Sequence, residues 1–367
     1  MNTAEFIPKK IESLVEKASF TWQTPSNIAL VKYWGKSNPQ IPKNASISFT
    51  LDNCHTITTI DFSRIKRNYE IDAVFQNVDF DLFFEGKPKE EFKPKIAGFF
   101  KRIEKYCSYL SEYKLSIHSE NSFPHSSGIA SSASGMAAIA MCLMSFEKQL
   151  NPNLSTEFVK KKASFLARLG SGSASRSIEG PIVVWGEHPK IAGSSDLFGV
   201  KFSEKIHQNF NNYQDTILLV DKGEKQVSST VGHNLMMNHP YAENRFKQAN
   251  ENLGKMAEIL QNGNLDSFVN LVESEALTLH AMMMTSNPYF ILMKPNTLEI
   301  INKIWEFREE TKSKICFTLD AGANVHVLYP EKEKESVLQF IDNELSKFCQ
   351  KKHYICDTVS FGAKKLN

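Results

Sequence analysis

The chain has 367 residues, 41% hydrophobic and 23% charged, and its 43 basic side chains nearly balance 41 acidic ones for a net charge of +2. That length supports two domains, and the composition excludes wholesale disorder, a collagen-like fibre and a disulfide-stapled miniprotein. The charge balance gives no footprint for nucleic acid or a membrane surface, no run of 18 apolar residues spans a bilayer, and the six cysteines lack any CxxC pair, as expected of reduced thiols in a cytoplasmic protein.

Ile7, Ile11, Leu14 and Val15 are spaced for one face of a short leading helix, within an N-terminal extension of residues 1–20. β-branched and aromatic residues predict strands at Phe20–Gly35 and Ala45–Phe62, then a hairpin at Tyr69–Phe75 and Phe80–Phe84. A helix around Lys93–Leu110 precedes a strand at Lys114–His118. A long helix is predicted from Ser132 to Gln149 with Met136, Ala140 and Leu143 on its inner face, then a helix at Thr156–Leu169 and a buried strand at Pro181–Trp185. The polar stretch Lys190–Asn212 is the expected boundary between a domain of residues 1–205 and one of residues 206–367. Beyond it the pattern predicts a strand at Thr216–Val220, helices at Pro240–Gln261, Leu265–Met284 and Thr297–Lys312, a strand at Lys314–Leu319, a helix near Glu335–Lys347 and a last strand at Tyr354–Val359. Strands and helices mix without the regular alternation of a doubly wound sheet, which makes the fold class α+β.

Glycine and arginine are scarce: 17 glycines, and seven arginines among the 43 basic residues. Where they occur they mark candidate sites. In Ser122–Gly135, Gly128 permits a tight turn, and Ser131, Ser132 and Ser134 stand at a helix start where free N–H groups favour an anion. An ordinary capped helix after a serine loop has the same pattern. In Arg168–Ser177 two glycines let the backbone approach a ligand, the serines supply donors, and Arg176 offers a planar fork for a carboxylate or phosphate. In Asn27–Lys36, Lys32 and Lys36 follow a buried-looking strand and flank Tyr33 and Trp34. Asp320 sits where a strand ends in the Gly-containing turn of Cys316–Asn324, a place for a reacting carboxylate or for a local Asx-turn. P-loop, dinucleotide-fold and hydrolase-elbow motifs are absent, His233 and His239 are not at helical metal spacing, and most of the ten histidines read as structural or exposed.

In this order the segments resemble the diphosphomevalonate decarboxylases of the GHMP kinase superfamily: Asn27–Lys36, Asn44–Ser48, Gly128–Gly135, Gly170–Ser177, Val227–Thr230, the helix of Glu275 and His280, and Leu319–Asn324. The resemblance implies a two-domain GHMP-kinase-like fold with the active site in the inter-domain cleft, in a homodimer. It implies ATP- and Mg²⁺-dependent conversion of diphosphomevalonate to isopentenyl diphosphate, with release of ADP, phosphate and CO₂. Carried over by position, Gly128, Ser131, Ser132, Ser134, Ser228 and Ser229 would hold ATP. Mg²⁺ would be held through the phosphates, with Ser131 or Ser132, and without dedicated protein ligands. Asp320, Arg176 and Lys36 would be catalytic, and Tyr33, Lys32, Lys36, Ser171, Ser173 and Arg176 would bind substrate. The family usually has Pro at Ala323, Thr-Ala-Ala at His125–Ser127, often Cys at Ser175, and an aromatic near Glu179. A phosphomevalonate decarboxylase, a kinase that stops at 3-phosphorylation, and a silent metabolite-binding protein are the alternatives.

Overall fold

The computed structural model describes residues 2–9, 14–65, 78–124, 129–222 and 229–367. The chain enters through β1 (Lys17–Val31), makes a short ribbon of β2 (Lys36–Ser37) and β3 (Ile41–Pro42), and returns as β4 (Ser46–Arg64), antiparallel to β1. The first half continues through β5 (Asp79–Phe84), β6 (Lys87–Pro88), α1 (Lys93–Ile103), β7 (Tyr113–Asn121), α2 (Ser131–Leu150), α3 (Thr156–Gly170), β8 (Ile182–Trp185) and β9 (Val200–Lys201). The second half has β10 (Gln214–Leu218), α4 (Ser229–Leu235), α5 (Ala242–Asn262), α6 (Leu265–Met284), α7 (Pro295–Thr311), β11 (Cys316–Thr318), β12 (Val325–Tyr329), α8 (Lys334–Phe340), β13 (Tyr354–Thr358) and β14 (Lys364–Lys365).

Among the described residues, the larger sheet runs β14-β1-β4-β7-β5-β6, with β8 against the first part of β4 and β9 beyond β8. The second sheet runs β11-β12-β10-β13. Along β4, Cys54, Thr56, Thr58, Ile60 and Phe62 alternate inward, the period of a strand with one buried face. The last four pack under α2, whose surface is buried nearly all round because it lies between this sheet and α3. Phe62 and Phe146 stack there with ring centroids 4.1 Å apart. A second apolar cluster spans the halves, joining Ile28, Leu30 and Phe49 to Phe210, Ile217, Leu253 and Phe268. The halves therefore share a core rather than meeting across a bare linker.

Several expectations change. Among the described residues the leading segment has a 3₁₀ turn, Ala4–Phe6, with Phe6 against Phe165 at 4.2 Å; Ile7 is exposed, and the expected helix runs through residues 10–13, Ile11 among them, which lie outside the described residues. Tyr69–Phe75 also lies outside them, while Asp79–Phe84 pairs with β6 and runs parallel to β7. The helix expected to reach Leu110 ends at Ile103 and continues as 3₁₀ turns. The stretch 190–212 is less of a linker than its polarity suggests, since Val200–Lys201 joins the larger sheet and Phe202 and Phe210 are buried. The Glu335–Lys347 helix becomes α8 followed by a π turn and a 3₁₀ turn. The sequence reading missed β12, although it is fully buried and pairs with both β10 and β11.

Candidate active site

A cavity of about 1000 Å³ opens between β1, the β2–β3 ribbon, α1, the N-terminus of α2, the Gly170–Arg176 segment, α4 and the turn after β11. Lys32, Tyr33, Lys36, Ser131, Ser132, Ser171, Ser173, Arg176 and Asp320 all line it.

At its base, Lys32 Nζ lies 2.9 Å from Asp320 Oδ1, with the lysine side chain buried and the aspartate 29% exposed. Lys32 is at the first position after β1, and Asp320 begins the turn between β11 and β12, where Gly322 N donates to Asp320 O at 2.7 Å. Both backbones are held by α6. Glu275 Oε2 accepts Lys32 N–H at 2.8 Å, and His280 Nε2 lies 3.1 Å from the Asp320 carbonyl oxygen. Glu275 is buried and would be uncompensated alone, but Arg245 donates to it at 2.9 and 2.5 Å and Asn252 at 2.7 Å. Burial pushes the His280 pKa down to about 4, so the ring is neutral at pH 7.

Arg176 is buried beside this pair. Its Nη1 donates to Ser46 Oγ at 2.6 Å, its Nε reaches Asn27 Oδ1 at 3.4 Å, and the guanidinium lies 5.8 Å from the centre of the Trp185 ring. Burial lowers its pKa to about 10 while the nearby Asp320 charge opposes that fall, so it stays cationic at neutral pH. Asn27 donates in turn to Ser173 O and Ser177 Oγ, tying β1 to the segment that carries Arg176. Gly172 is required there: a Cβ would stand 2.7 Å from Trp185 and 2.9 Å from the Tyr33 hydroxyl. That hydroxyl is buried without a hydrogen-bond partner among the described residues, and burial raises its pKa. Lys36 is half-buried; burial first, then the neighbouring Arg102, lowers its pKa.

At the opposite wall, Ser131 and Ser132 open α2 after Ala130, which has φ 48° and makes no side-chain cap. Ser132 Oγ lies 3.2 Å from Ser171 Oγ. In the first turn of this 20-residue helix Ala133 N–H bonds the Ala130 carbonyl at 2.7 Å, while Ser131 and Ser132 stand at the end facing the cavity, where a helix N-terminus is receptive to an anion. Leu82, Phe84, Phe92 and Ile96 form an apolar stretch of lining next to Lys95 and Arg102.

Ser134 does not join this group. Its side chain is turned into the seam between helix and sheet, where its hydroxyl meets Thr56 Oγ1 at 2.6 Å and its carbonyl accepts from Thr24 at 2.6 Å. Gly128 and Ser228 lie outside the described residues, and Ser229 is the first residue of α4. The motif reading missed Arg245, Asn252, Arg102 and His233, and gave Glu275 no role of its own. Glu275 had a usable signal: a lone carboxylate on the apolar face of a helix, flanked by Leu271, Val272 and Leu279.

The chain matches two family models, the diphosphomevalonate decarboxylase-like N-terminal domain over residues 24–196 and the mevalonate 5-diphosphate decarboxylase C-terminal domain over residues 216–364. It is 30% identical to the diphosphomevalonate decarboxylase of Saccharomyces cerevisiae, over 86% of this chain and 78% of that one. It is 29% identical to that of Ganoderma lucidum, over 88% and 80%. Its fold is similar to mevalonate diphosphate decarboxylase from Staphylococcus aureus, with TM-score 0.79 and 25% identity over 96% of this chain and 98% of that one. It is also similar to MDDEF in complex with MVAPP, AMPPCP and magnesium, with TM-score 0.77 and 28% identity over 96% and 99%.

Proposed function

This chain belongs to the diphosphomevalonate decarboxylase family, and from that premise we propose how its cleft residues divide the work. The reaction is ATP- and Mg²⁺-dependent decarboxylation of diphosphomevalonate to isopentenyl diphosphate, with release of ADP, phosphate and CO₂, in the mevalonate pathway of isoprenoid biosynthesis. The single observation that carries the assignment of roles is the Lys32–Asp320 pair lying in one cavity with Arg176 and the N-terminus of α2.

Hydroxide leaves a 3-hydroxy acid poorly, so the tertiary hydroxyl must first become a phosphate ester. Bound ATP supplies that phosphoryl group, and Mg²⁺ offsets the charge of its phosphates. The N-terminal amides of α2 and the hydroxyls of Ser131 and Ser132 fit the phosphates and their metal, and Leu82, Phe84, Phe92 and Ile96 fit the base. Asp320, fixed by Lys32 Nζ, orients the substrate 3-hydroxyl and accepts its proton on a carboxylate oxygen as the oxygen attacks. Loss of the ester phosphate then builds positive charge at C3, and the electron pair of the C–CO₂ bond moves in to form the alkene. Arg176, held by Ser46 and Asn27, keeps the carboxylate in line until that bond breaks. Lys36, Tyr33, Ser171 and Ser173 hold the diphosphate end.

We place the division of the chain at residues 205–206, between the two matched regions. Exposed Met237, Tyr241, Tyr289 and Ile291, flanking the apolar cluster of Trp34, Met236, Phe246 and Met282, support a homodimer. Free cysteines throughout the described residues support a cytoplasmic location, and no described helix is long and apolar enough to cross a membrane. The test is incubation with ATP, Mg²⁺ and diphosphomevalonate. Isopentenyl diphosphate must appear, and its absence with protein shown to be folded would remove the reading.

A further inference from the structure

One buried titratable group in the cavity wall has no part in the roles above. His233, on α4, lines the cavity with its ring against Tyr33 and Trp34, at centroid distances of 4.3 and 4.6 Å. This approach depends on the preceding Gly232, where a Cβ would come within 2.5 Å of Trp34. Gly35, at φ +100°, turns its amide toward the ring, and its N–H lies 2.9 Å from His233 Nδ1. An amide nitrogen can only donate, so Nδ1 is the acceptor and the proton of the neutral ring sits on Nε2.

The surroundings keep that tautomer. Burial, then Lys36 from β2 and Arg176 from the segment after α3, push the His233 pKa down to about 3. Among the described residues both charged groups acting on it are cations, and the Tyr33 hydroxyl beside it is buried with no hydrogen-bond partner. A buried hydroxyl, a neutral ring donor and two cations thus share one wall, and an anion bound there would meet donors and positive charge together.

We infer that His233 is a substrate-binding residue whose Nε2–H donates a hydrogen bond to a phosphate oxygen of diphosphomevalonate, next to Tyr33 and Lys36. The inference rests on the functional reading above, which makes diphosphomevalonate the occupant. A neutral, fixed donor adds discrimination that a lysine does not, because a ligand lacking the matching oxygen leaves Nε2–H buried and unpaired.

Two substitutions separate the two nitrogens. His233→Asn keeps an acceptor for Gly35 N–H but removes the Nε2 donor, whereas His233→Gln keeps a donor near Nε2 and loses the Nδ1 acceptor. The expected result is a KM for diphosphomevalonate raised about tenfold in H233N and within about threefold of wild type in H233Q, with the KM for ATP within about twofold in both. The reverse order, with H233N near wild type and H233Q impaired, would show that the ring only braces Gly35 and would overturn the inference. A measurement on the unaltered enzyme covers the case in which either variant misfolds. With histidine labelled by nitrogen-15, the His233 Nε2 resonance must move on adding diphosphomevalonate and stay in place on adding ATP alone; an unmoved resonance also overturns it. If the wild-type protein neither binds nor turns over diphosphomevalonate, the functional reading itself has failed, a result distinct from either variant outcome.

Discussion

Lys32 Nζ and Asp320 Oδ1 meet at 2.9 Å although 288 positions separate them in the chain. A single helix, α6, fixes both ends of this contact through Glu275 on the Lys32 amide and His280 on the Asp320 carbonyl. The geometry of the pair is thus set by backbone anchors, and the side chains need only extend toward each other.

Asp320→Asn should lower kcat by several orders of magnitude while leaving the Kd for diphosphomevalonate within about tenfold, because the carboxylate acts mainly as the hydroxyl proton leaves. Steady-state turnover beside titration calorimetry separates the two quantities. Near-normal kcat would remove Asp320 from the chemistry.

Arg176→Lys should raise the KM for diphosphomevalonate by roughly tenfold to a hundredfold. A lysine cannot present a planar edge to a carboxylate while also bonding Ser46 and Asn27 as the guanidinium does. The same kinetic series reports it, and a KM within twofold of wild type would contradict the clamp.

Glu275→Ala should destabilise the fold by about 3–5 kcal/mol, since it leaves the buried Arg245 guanidinium without its carboxylate. Urea unfolding measures the loss. A change of under about 1 kcal/mol would mean that the pair is dispensable to the fold.

His233 and His280 carry folded-state pKa values of about 3 and about 4. Both lie below the unfolded histidine value of about 6.5, so the unfolded chain binds more protons in between. Their contribution is fully present above pH ~6.5 and is lost on acidification, by up to about 1.4 kcal/mol per pH unit for each ring. Burial raises Glu147 and Asp357, which pull in the opposite sense, so the informative comparison is between wild type and His280→Gln. Unfolding free energies from pH 7 to 4.5 should show a shallower acid loss in the variant. Parallel curves would contradict a buried neutral His280.

Much of this cleft is legible in the chain because scarce residues in short motifs line it. Arg176 stands among glycines and serines, Asp320 heads a Gly-containing turn, and Ser131 and Ser132 precede a long apolar helix. What sequence conceals is anchoring across distance. Arg245 and Asn252 act on Glu275 from a neighbouring helix, and His233 reaches the cavity because Gly35 and Gly232 bring α4 onto the loop after β1. Ser134 misleads for the converse reason: it shares the serine pattern, but its place in the first turn of α2 points it at Thr56. In the fold, β12 escapes because five apolar-leaning residues after a turn carry no alternation, being buried on both faces. Near the start of the chain, the contact of Phe6 on Phe165 accompanies the 3₁₀ turn Ala4–Phe6, which hydrophobic spacing from Ile7 onward does not signal.

The most direct test of the central claim is the release of ADP and CO₂ measured together, with mono- and diphosphorylated mevalonate supplied side by side. The account predicts one CO₂ for each ADP and a higher kcat/KM for the diphosphorylated substrate. ADP without CO₂, or a preference for the monophosphate, would contradict it.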